Sequence, residues 1–441
     1  MKPCFFRHGK LTRSLFWIAG IVAVFCLGGC QINPVTGKKE LVLVPQSVEW
    51  AVGASNYAPL QQASGGPYTT YPEVNDYVRQ VGHKLSEVSD RPDLPYEFVV
   101  LNHSIPNAWA LPSGKIAIHR GLLTELEDEA QLAAVLSHEI VHAAARHSAK
   151  NMQRQIILQL GVAATVTLIG GAADSELAGQ TASMLGNAAS SLFQFGYSRR
   201  DELEADYYGL QYMARANYDP VAAVELQQKF VALEDKQESS WLAGMLRTHP
   251  PSMERVEANR ETAGQLHITK PYRGRDAFQR AMRKLLKDRS AYAHYDQASE
   301  AYRQKQPDKA LHEIQRAITL QPQEAEFYRL RGDLFFQNED IRKAKRDYER
   351  ALSLQDQYYL HHQRLGVAFQ SLGQTEQAIR YLESSIKLLP SDPAYFSLGE
   401  LGVATGDREQ AVHWFSLAAQ SSDARIARAA TDWLQKLGAL E

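Results

Sequence analysis

The sequence predicts a mainly α chain in two parts, an α+β domain followed by an α-solenoid. Three observations carry that prediction. Small residues recur every 34 positions through the last third, at Ala310, Ala344 and Ala378, with Ala411 following at 33. The stretch His138-Glu139-Ile140-Val141-His142 sits inside a helical apolar pattern, which puts two imidazoles on one face. At 441 residues and 44% hydrophobic composition, the chain supports two or three domains with real cores.

The first element is a targeting segment. Residues 1–29 hold four basic residues (Lys2, Arg7, Lys10, Arg13), no acidic one, and an apolar run from Leu15 to Leu27. That run is short for a membrane span and carries the flanks of a signal segment. Leu27-Gly28-Gly29-Cys30 resembles a bacterial lipobox. The resemblance implies cleavage before Cys30 and a lipid on that cysteine, anchored stably by two or more acyl chains. Gln31 follows rather than aspartate, which favours the outer membrane. Cys4 and Cys26 leave with the segment, so no internal disulfide is expected. Loss of the four basic residues takes the net charge from −2 to −6. With no basic run and no interleaved aromatic patch, nucleic-acid binding is excluded as a function class. Residues 30–50 read as a tether.

Residues 51–262 read as the first domain. Lys115-Ile116-Ala117-Ile118-His119 alternates after a Pro-Ser-Gly turn and predicts a short strand; an exposed edge there takes an extended peptide. Asp128 and Glu129 open the next helix, and Leu132, Val135, Leu136, Ile140 and Val141 form its apolar stripe. The two histidines therefore lie mid-helix, and Glu139 is offset by about 100°. The chemistry needs this arrangement: a zinc ion on the histidines polarises a carbonyl, and the carboxylate takes a proton from water. A longer motif, with glycine three residues on and histidine six residues on, is excluded by Ala145 and Ser148. His147 is expected at the surface or behind a ligand. Glu202 and Asp206 are again four apart on a helix; Glu202 can complete the ligand set and Asp206 can fix a histidine tautomer. The stretch Leu160 to Ala173 has no charge, is too short to span, and with Ser183 to Phe195 reads as a mobile helical flap or a membrane-leaning hairpin over the cleft, or as a plain buried helix. His249 precedes Pro250, which disfavours helix, so it sits on a loop. From there it can donate to an oxyanion or occupy the open metal position in a resting state.

The remaining elements are helical. Residues 263–290 read as a connector ending in a basic helix through Lys287. Without a long Gly/Ser linker, the repeats are expected to dock on the first domain. Gly332, Gly366 and Gly399 mark first-helix positions, and Pro322, Asp356 and Pro390 mark repeat ends. About four repeats fill 291–420 within a 291–441 domain, and Ala424 to Leu440 caps them. Tyr328, Phe335, Tyr358, Tyr359 and Phe369 belong either to a concave binding face or to the inter-helix core.

The repeats resemble tetratricopeptide repeats. H-E-I-V-H followed by Glu202-Leu203-Glu204-Ala205-Asp206 resembles the zinc endopeptidase family of the CAAX prenyl endopeptidase and the bacterial heat-shock protease. Asn33-Pro34-Val35-Thr36-Gly37, the segment Asn107 to Gly114, and Thr248-His249-Pro250-Pro251 with Arg255 resemble further motifs of that family. The resemblance implies a zincin-like metalloprotease domain with one Zn²⁺ per chain on His138, His142 and Glu202. It implies Glu139 as the base, with His249 and Arg255 near the reacting carbonyl. Asn107 and Ala108 lead into the substrate strand, continued by Lys115, Ile116, Ala117 and Ile118. The combination with repeats is similar to lipid-anchored or periplasmic members. It implies unfolded or stalled outer-membrane protein substrates, with the assembly machinery as a partner of the repeats. The alternative is a periplasmic chaperone or scaffold with latent proteolysis.

Overall fold

The structure is a computed structural model, and it describes residues 30–42, 44–154, 196–235 and 248–440. The targeting segment, the stretches 160–173 and 183–195, and the Cys30 side chain lie outside the described residues. No helix among the described residues is long and apolar enough to cross a membrane.

Strand β1 (Cys30–Ile32) pairs antiparallel with β2 (Lys39–Leu41). Asn33 closes the turn, its Oδ1 accepting from the amides of Val35 and Thr36 at 2.9 and 3.1 Å. Its Nδ2 donates to the Ala145 carbonyl at 3.1 Å. Helix α1 (Gln46–Ala63) follows. The expected tether over 30–50 is therefore folded: Asn33 supplies the hydrogen-bonding that fastens it to the body.

Helix α2 (Pro72–Ser86) buries Val74, Val78, Val81 and Leu85, a stripe at helical spacing. It covers one face of a sheet made of β3 (Glu97–Leu101), β4 (Ala108–Leu111) and β5 (Lys115–His119). The order is β3-β5-β4, with β3 parallel and β4 antiparallel to β5. This corrects the sequence reading of Lys115, Ile116, Ala117 and Ile118. Both edges of β5 are already paired, so no peptide can add there; the open strand beside the metal helix is β4. Alternation marks a strand but does not reveal its place in the sheet.

After the short α3 (Arg120–Leu123) comes α4 (Glu129–Ala144), capped by Asp128, whose side chain accepts from the Gln131 amide at 2.9 Å. The chain leaves the helix at Arg146, whose φ is +60°, and resumes as helix over 147–154. Helix α5 (Arg199–Arg215) starts with a capping box between Ser198 and Asp201. Gly209 lets α5 approach α4: a Cβ there would lie 3.3 Å from the His138 amide nitrogen. Helices α6 (Val221–Asp235) and α7 (Met253–Gln265) close the domain. Helix α8 (Arg275–Lys287) was expected as a connector. It buries Phe278, Met282 and Leu285 in the main core against α2 and α4, so it belongs to the domain's packing.

Four helix pairs follow among the described residues: α9 (Arg289–Arg303) with α10 (Pro307–Leu320), α11 (Ala325–Gln337) with α12 (Ile341–Leu354), α13 (Tyr359–Ser371) with α14 (Thr375–Leu388), and α15 (Asp392–Thr405) with α16 (Arg408–Ala418). Helix α17 (Ala424–Lys436) covers the last pair. The repeated glycines are contact points. A Cβ at Gly332, Gly366 or Gly399 would meet Tyr348, Leu382 or Phe415 at 2.5, 2.8 and 2.7 Å.

The repeats dock directly on the first domain. Glu324, 1% exposed, accepts from Thr70 Oγ1, Asn102 Nδ2 and Tyr292 Oη at 2.8, 2.8 and 2.7 Å. Gln62 donates to the Gln357 carbonyl at 2.7 Å and accepts from the Tyr359 amide at 2.8 Å. Tyr358 lies over Gly66, where a Cβ would meet its ring at 2.9 Å. Of the aromatics singled out in the sequence, Tyr358 thus belongs to the domain interface, and Phe369 is buried between repeats, stacked on Tyr381.

Candidate metal centre

Three helices and one loop converge beside β4. Helix α4 carries His138, Glu139 and His142; α5 carries Glu202 and Asp206; the loop before α7 carries His249; and α7 carries Arg255. One ligand-capable atom from each of His138, His142, Glu202 and His249 lies within 4.8 Å of the others. The Nε2 atoms of His138 and His142 are 2.9 Å apart. Each lies 3.4 Å from a Glu202 oxygen. His249 Nδ1 is 3.1 Å from Glu202 Oε1 and 3.3 Å from His138 Nε2. Its Nε2 is 3.5 Å from Glu139 Oε1.

Hydrogen bonds behind the group set which nitrogens carry protons. His138 Nδ1 lies 2.9 Å from Asp206 Oδ1, so it donates and leaves Nε2 as a lone pair. Asp206 is held by Arg255, whose Nε and Nη2 donate to its two oxygens at 2.7 and 2.8 Å. Arg255 Nη1 reaches Glu202 Oε2 at 2.9 Å. On the other side, His147 Nε2 donates to Glu204 Oε1 at 3.1 Å. Its Nδ1 is then an acceptor for His142 Nδ1, 2.8 Å away, which leaves His142 Nε2 as a lone pair as well. Two histidine lone pairs and one carboxylate therefore face a common point.

The charges agree with a divalent cation. Glu139, Glu202 and Asp206 are buried with one guanidinium, Arg255, which leaves two negative charges uncompensated when the histidines are neutral. Burial opposes charge on His138, yet Glu202 and Asp206 together raise it to about 10. Burial would raise Glu202, but His249 and His138 hold it well below the usual carboxylate range. Burial likewise works against Asp206, and Arg255 overrides it downward. His142 is pushed well down, first by burial. Glu139 is raised by burial, against the pull of His249 and His138. Its Oε2, and Nε2 of His249, are buried with no hydrogen-bond partner among the described residues. Unpaired acceptors, convergent lone pairs and a net negative pocket are what a bound metal ion requires, so the residues fit one.

Beside this group runs the free edge of β4. His119 donates its amide to the Asn107 carbonyl at 2.8 Å, so Asn107, Trp109 and Leu111 face β5. Ala108 and Ala110 turn their backbone groups outward. Tyr197 Oη donates to the Ala110 carbonyl at 3.3 Å, and its ring stacks on His142 with centroids 3.8 Å apart. Thr248 Oγ1 donates to Asn107 Oδ1 at 3.3 Å, tying the His249 loop to the start of the strand. Asn107 and Ala108 therefore lie at the centre, whereas Lys115 to Ile118 lie one strand behind.

Of the two places expected for His147, the structure takes the one behind a ligand: the break at Arg146 turns it inward, fully buried against His142. Sequence reasoning missed two residues. Tyr197 had a positional signal, since it immediately precedes the Ser198 cap of the second motif helix. Gln227 had none: it lies on α6, far from any motif, and lines the cavity beside Glu139.

Comparison with known proteins agrees with this geometry. Residues 72–263 match the model for peptidase family M48, and 295–359 and 330–393 match tetratricopeptide repeats. The chain is 31% identical over 281 residues to mitochondrial metalloendopeptidase OMA1 of Schizosaccharomyces pombe, covering 60% of this chain and 80% of that protein. It is 25% identical over 390 residues to beta-barrel assembly-enhancing protease of Yersinia pestis, covering 82% and 79%. It is 26% identical over 215 residues to the protein of that name from Escherichia coli, covering 48% and 43%.

Proposed function

Because this chain belongs to peptidase family M48 and is a metal-dependent endopeptidase, we propose that its metal is zinc and its workplace the bacterial cell envelope. Its substrates on this reading are unfolded or stalled outer-membrane proteins. The observation that carries the metal assignment is the convergence of His138, His142, Glu202 and His249 within 4.8 Å, a nitrogen-rich set with one carboxylate. The similarity to beta-barrel assembly-enhancing proteases and the lipobox-like Cys30 support the envelope assignment, with Cys30 carrying the lipid. The docked repeats support a client or partner module, with the assembly machinery as its partner.

The bound ion would supply Lewis acidity for the carbonyl and for the attacking water. The chain supplies the rest. His138, His142 and Glu202 would hold the ion, and Asp206 and His147 orient the two imidazoles. A peptide adds to β4 through Ala108 and Ala110, displacing Tyr197 from the Ala110 carbonyl. Glu139, raised by burial, removes the proton from water and passes it to the leaving amine. His249 and Arg255 stand beside the position of the developing oxyanion. His249 also belongs to this group, its Nδ1 3.1 Å from Glu202 Oε1, so in the resting state it would serve as a further ligand and would swing away when a client engages.

Glu139→Gln tests the reading. The variant should bind zinc and clients but cut neither casein nor an unfolded outer-membrane protein. Full cellular function in Glu139→Gln would favour the chaperone reading instead, and cleavage by that variant would remove Glu139 from the mechanism.

A further inference from the structure

The cavity next to Glu139 has a feature that the metal chemistry does not use. It measures about 70 Å³, and its walls include the apolar side chains of Leu122, Val135, Leu226 and Phe230. Gln227 also lines it, is 7% exposed, and its Nε2 has no hydrogen-bond partner among the described residues. A buried amide NH₂ without an acceptor costs free energy, and a ligand that brings an acceptor into the cavity recovers it.

The position along the peptide follows from the strand and the base. A peptide adding antiparallel to β4 runs from Leu111 toward Ala108. Ala108 and Glu139 line this cavity, whereas Tyr197 marks the other end of the strand at Ala110. Glu139 delivers its proton to the leaving amine, so the side chain beside it belongs to the residue that owns that amine.

We propose that this cavity selects the residue immediately after the cleaved bond, and that Gln227 makes it prefer a neutral side chain with an apolar stem and a terminal hydrogen-bond acceptor. Glutamine is the best match. Its methylenes contact the apolar walls, and its carbonyl oxygen accepts from Gln227 Nε2. Leucine leaves the amide unsatisfied, and tryptophan exceeds the space. Glutamate meets the buried carboxylates of Glu139 and Asp206, while Arg255, which also lines the cavity, is already engaged by Asp206 and Glu202. This rests on the endopeptidase reading and adds a sequence preference to it.

The test uses the full chain with zinc and fluorogenic unstructured peptides that differ only at the residue after the cut. Wild-type kcat/KM should favour glutamine over leucine by about 2- to 10-fold, the value of one net hydrogen bond. Gln227→Met, close in volume, should erase or invert that ratio while zinc stoichiometry stays at one. Fluorescence anisotropy of the same peptides on Glu139→Gln, with and without Gln227→Met, reads the preference without turnover. Equal ratios in wild type and Gln227→Met, in either readout, would overturn the assignment of Gln227. No cleavage by wild type, with the anisotropy preference intact, would overturn the protease reading and support the pocket.

Discussion

Replacing His147 should weaken metal binding, although His147 does not belong to the ligand group. Its ring joins Glu204, 3.1 Å from Nε2, to His142, 2.8 Å from Nδ1, and both histidine side chains are fully buried. His147→Ala leaves the His142 Nδ1–H facing a void with no acceptor. An unsatisfied buried donor costs about 1–3 kcal/mol, which is about 5- to 150-fold in an equilibrium constant. The imidazole can escape that cost by moving its proton to Nε2, but that removes the lone pair the ion needs. Either route is spent against metal affinity, and outer hydrogen-bond partners of ligands are commonly worth about 10- to 100-fold. The expected zinc Kd therefore rises about 10- to 100-fold, read by competition with a chelator of known affinity on the full chain at neutral pH. His147→Gln, which keeps an acceptor within reach, should recover part of the loss, and Glu204→Gln should cost less than His147→Ala. A Kd within about twofold of wild type in a folded His147→Ala protein would refute the relay.

Two further outcomes test other parts of the molecule. Glu326 is buried between Arg329 and His361; burial alone would raise it, but the Arg329 guanidinium and the hydrogen bond with His361 hold it at about 2. A carboxyl depressed on folding stabilises above its unfolded value of 4.5 and loses that contribution as pH falls from 4.5 toward 2. The gap in unfolding free energy between wild type and Glu326→Gln should be of order 3 kcal/mol at neutral pH and close across that window, measured by denaturant titration; a gap independent of pH would contradict it. Cys30→Ala should release the protein from the envelope into the soluble fraction with its zinc affinity unchanged; retention in the membrane fraction would place the anchor elsewhere.

What the sequence revealed and what it hid divide along a physical line. Contacts set by spacing along one helix were legible: His138 with His142, Glu202 with Asp206, and the glycines every 34 residues. So was the helical repeat module. Contacts set by where separate elements meet were not. The strand pattern of Lys115 to His119 says nothing of its neighbours, so the open strand was placed one position too deep. For His147 the sequence left open the surface or a place behind a ligand; a single left-handed residue, Arg146, decides it, and local sequence gives no glycine or asparagine warning there. The connector and the tether were read as lying outside the domain because they carry no long apolar run. Their order comes from a few anchors instead, Phe278, Met282 and Leu285 in one, and Asn33 in the other.

The Asn33 contact has a mechanical consequence. From Cys30 to Asn33 is roughly 10 Å of extended chain, and from Ala145 back to His142 is about one helical turn. If Cys30 carries acyl chains, the metal group hangs within roughly 20 Å of the bilayer on a stiff strut rather than on a leash. A leashed enzyme sweeps a hemisphere whose radius grows with its linker. A strutted one patrols a thin layer, and its effective concentration is high there and near zero above it. So anchored, the hairpin would act as a depth gauge: chains lingering at the membrane surface would come within reach, and those crossing the compartment in transit would pass overhead.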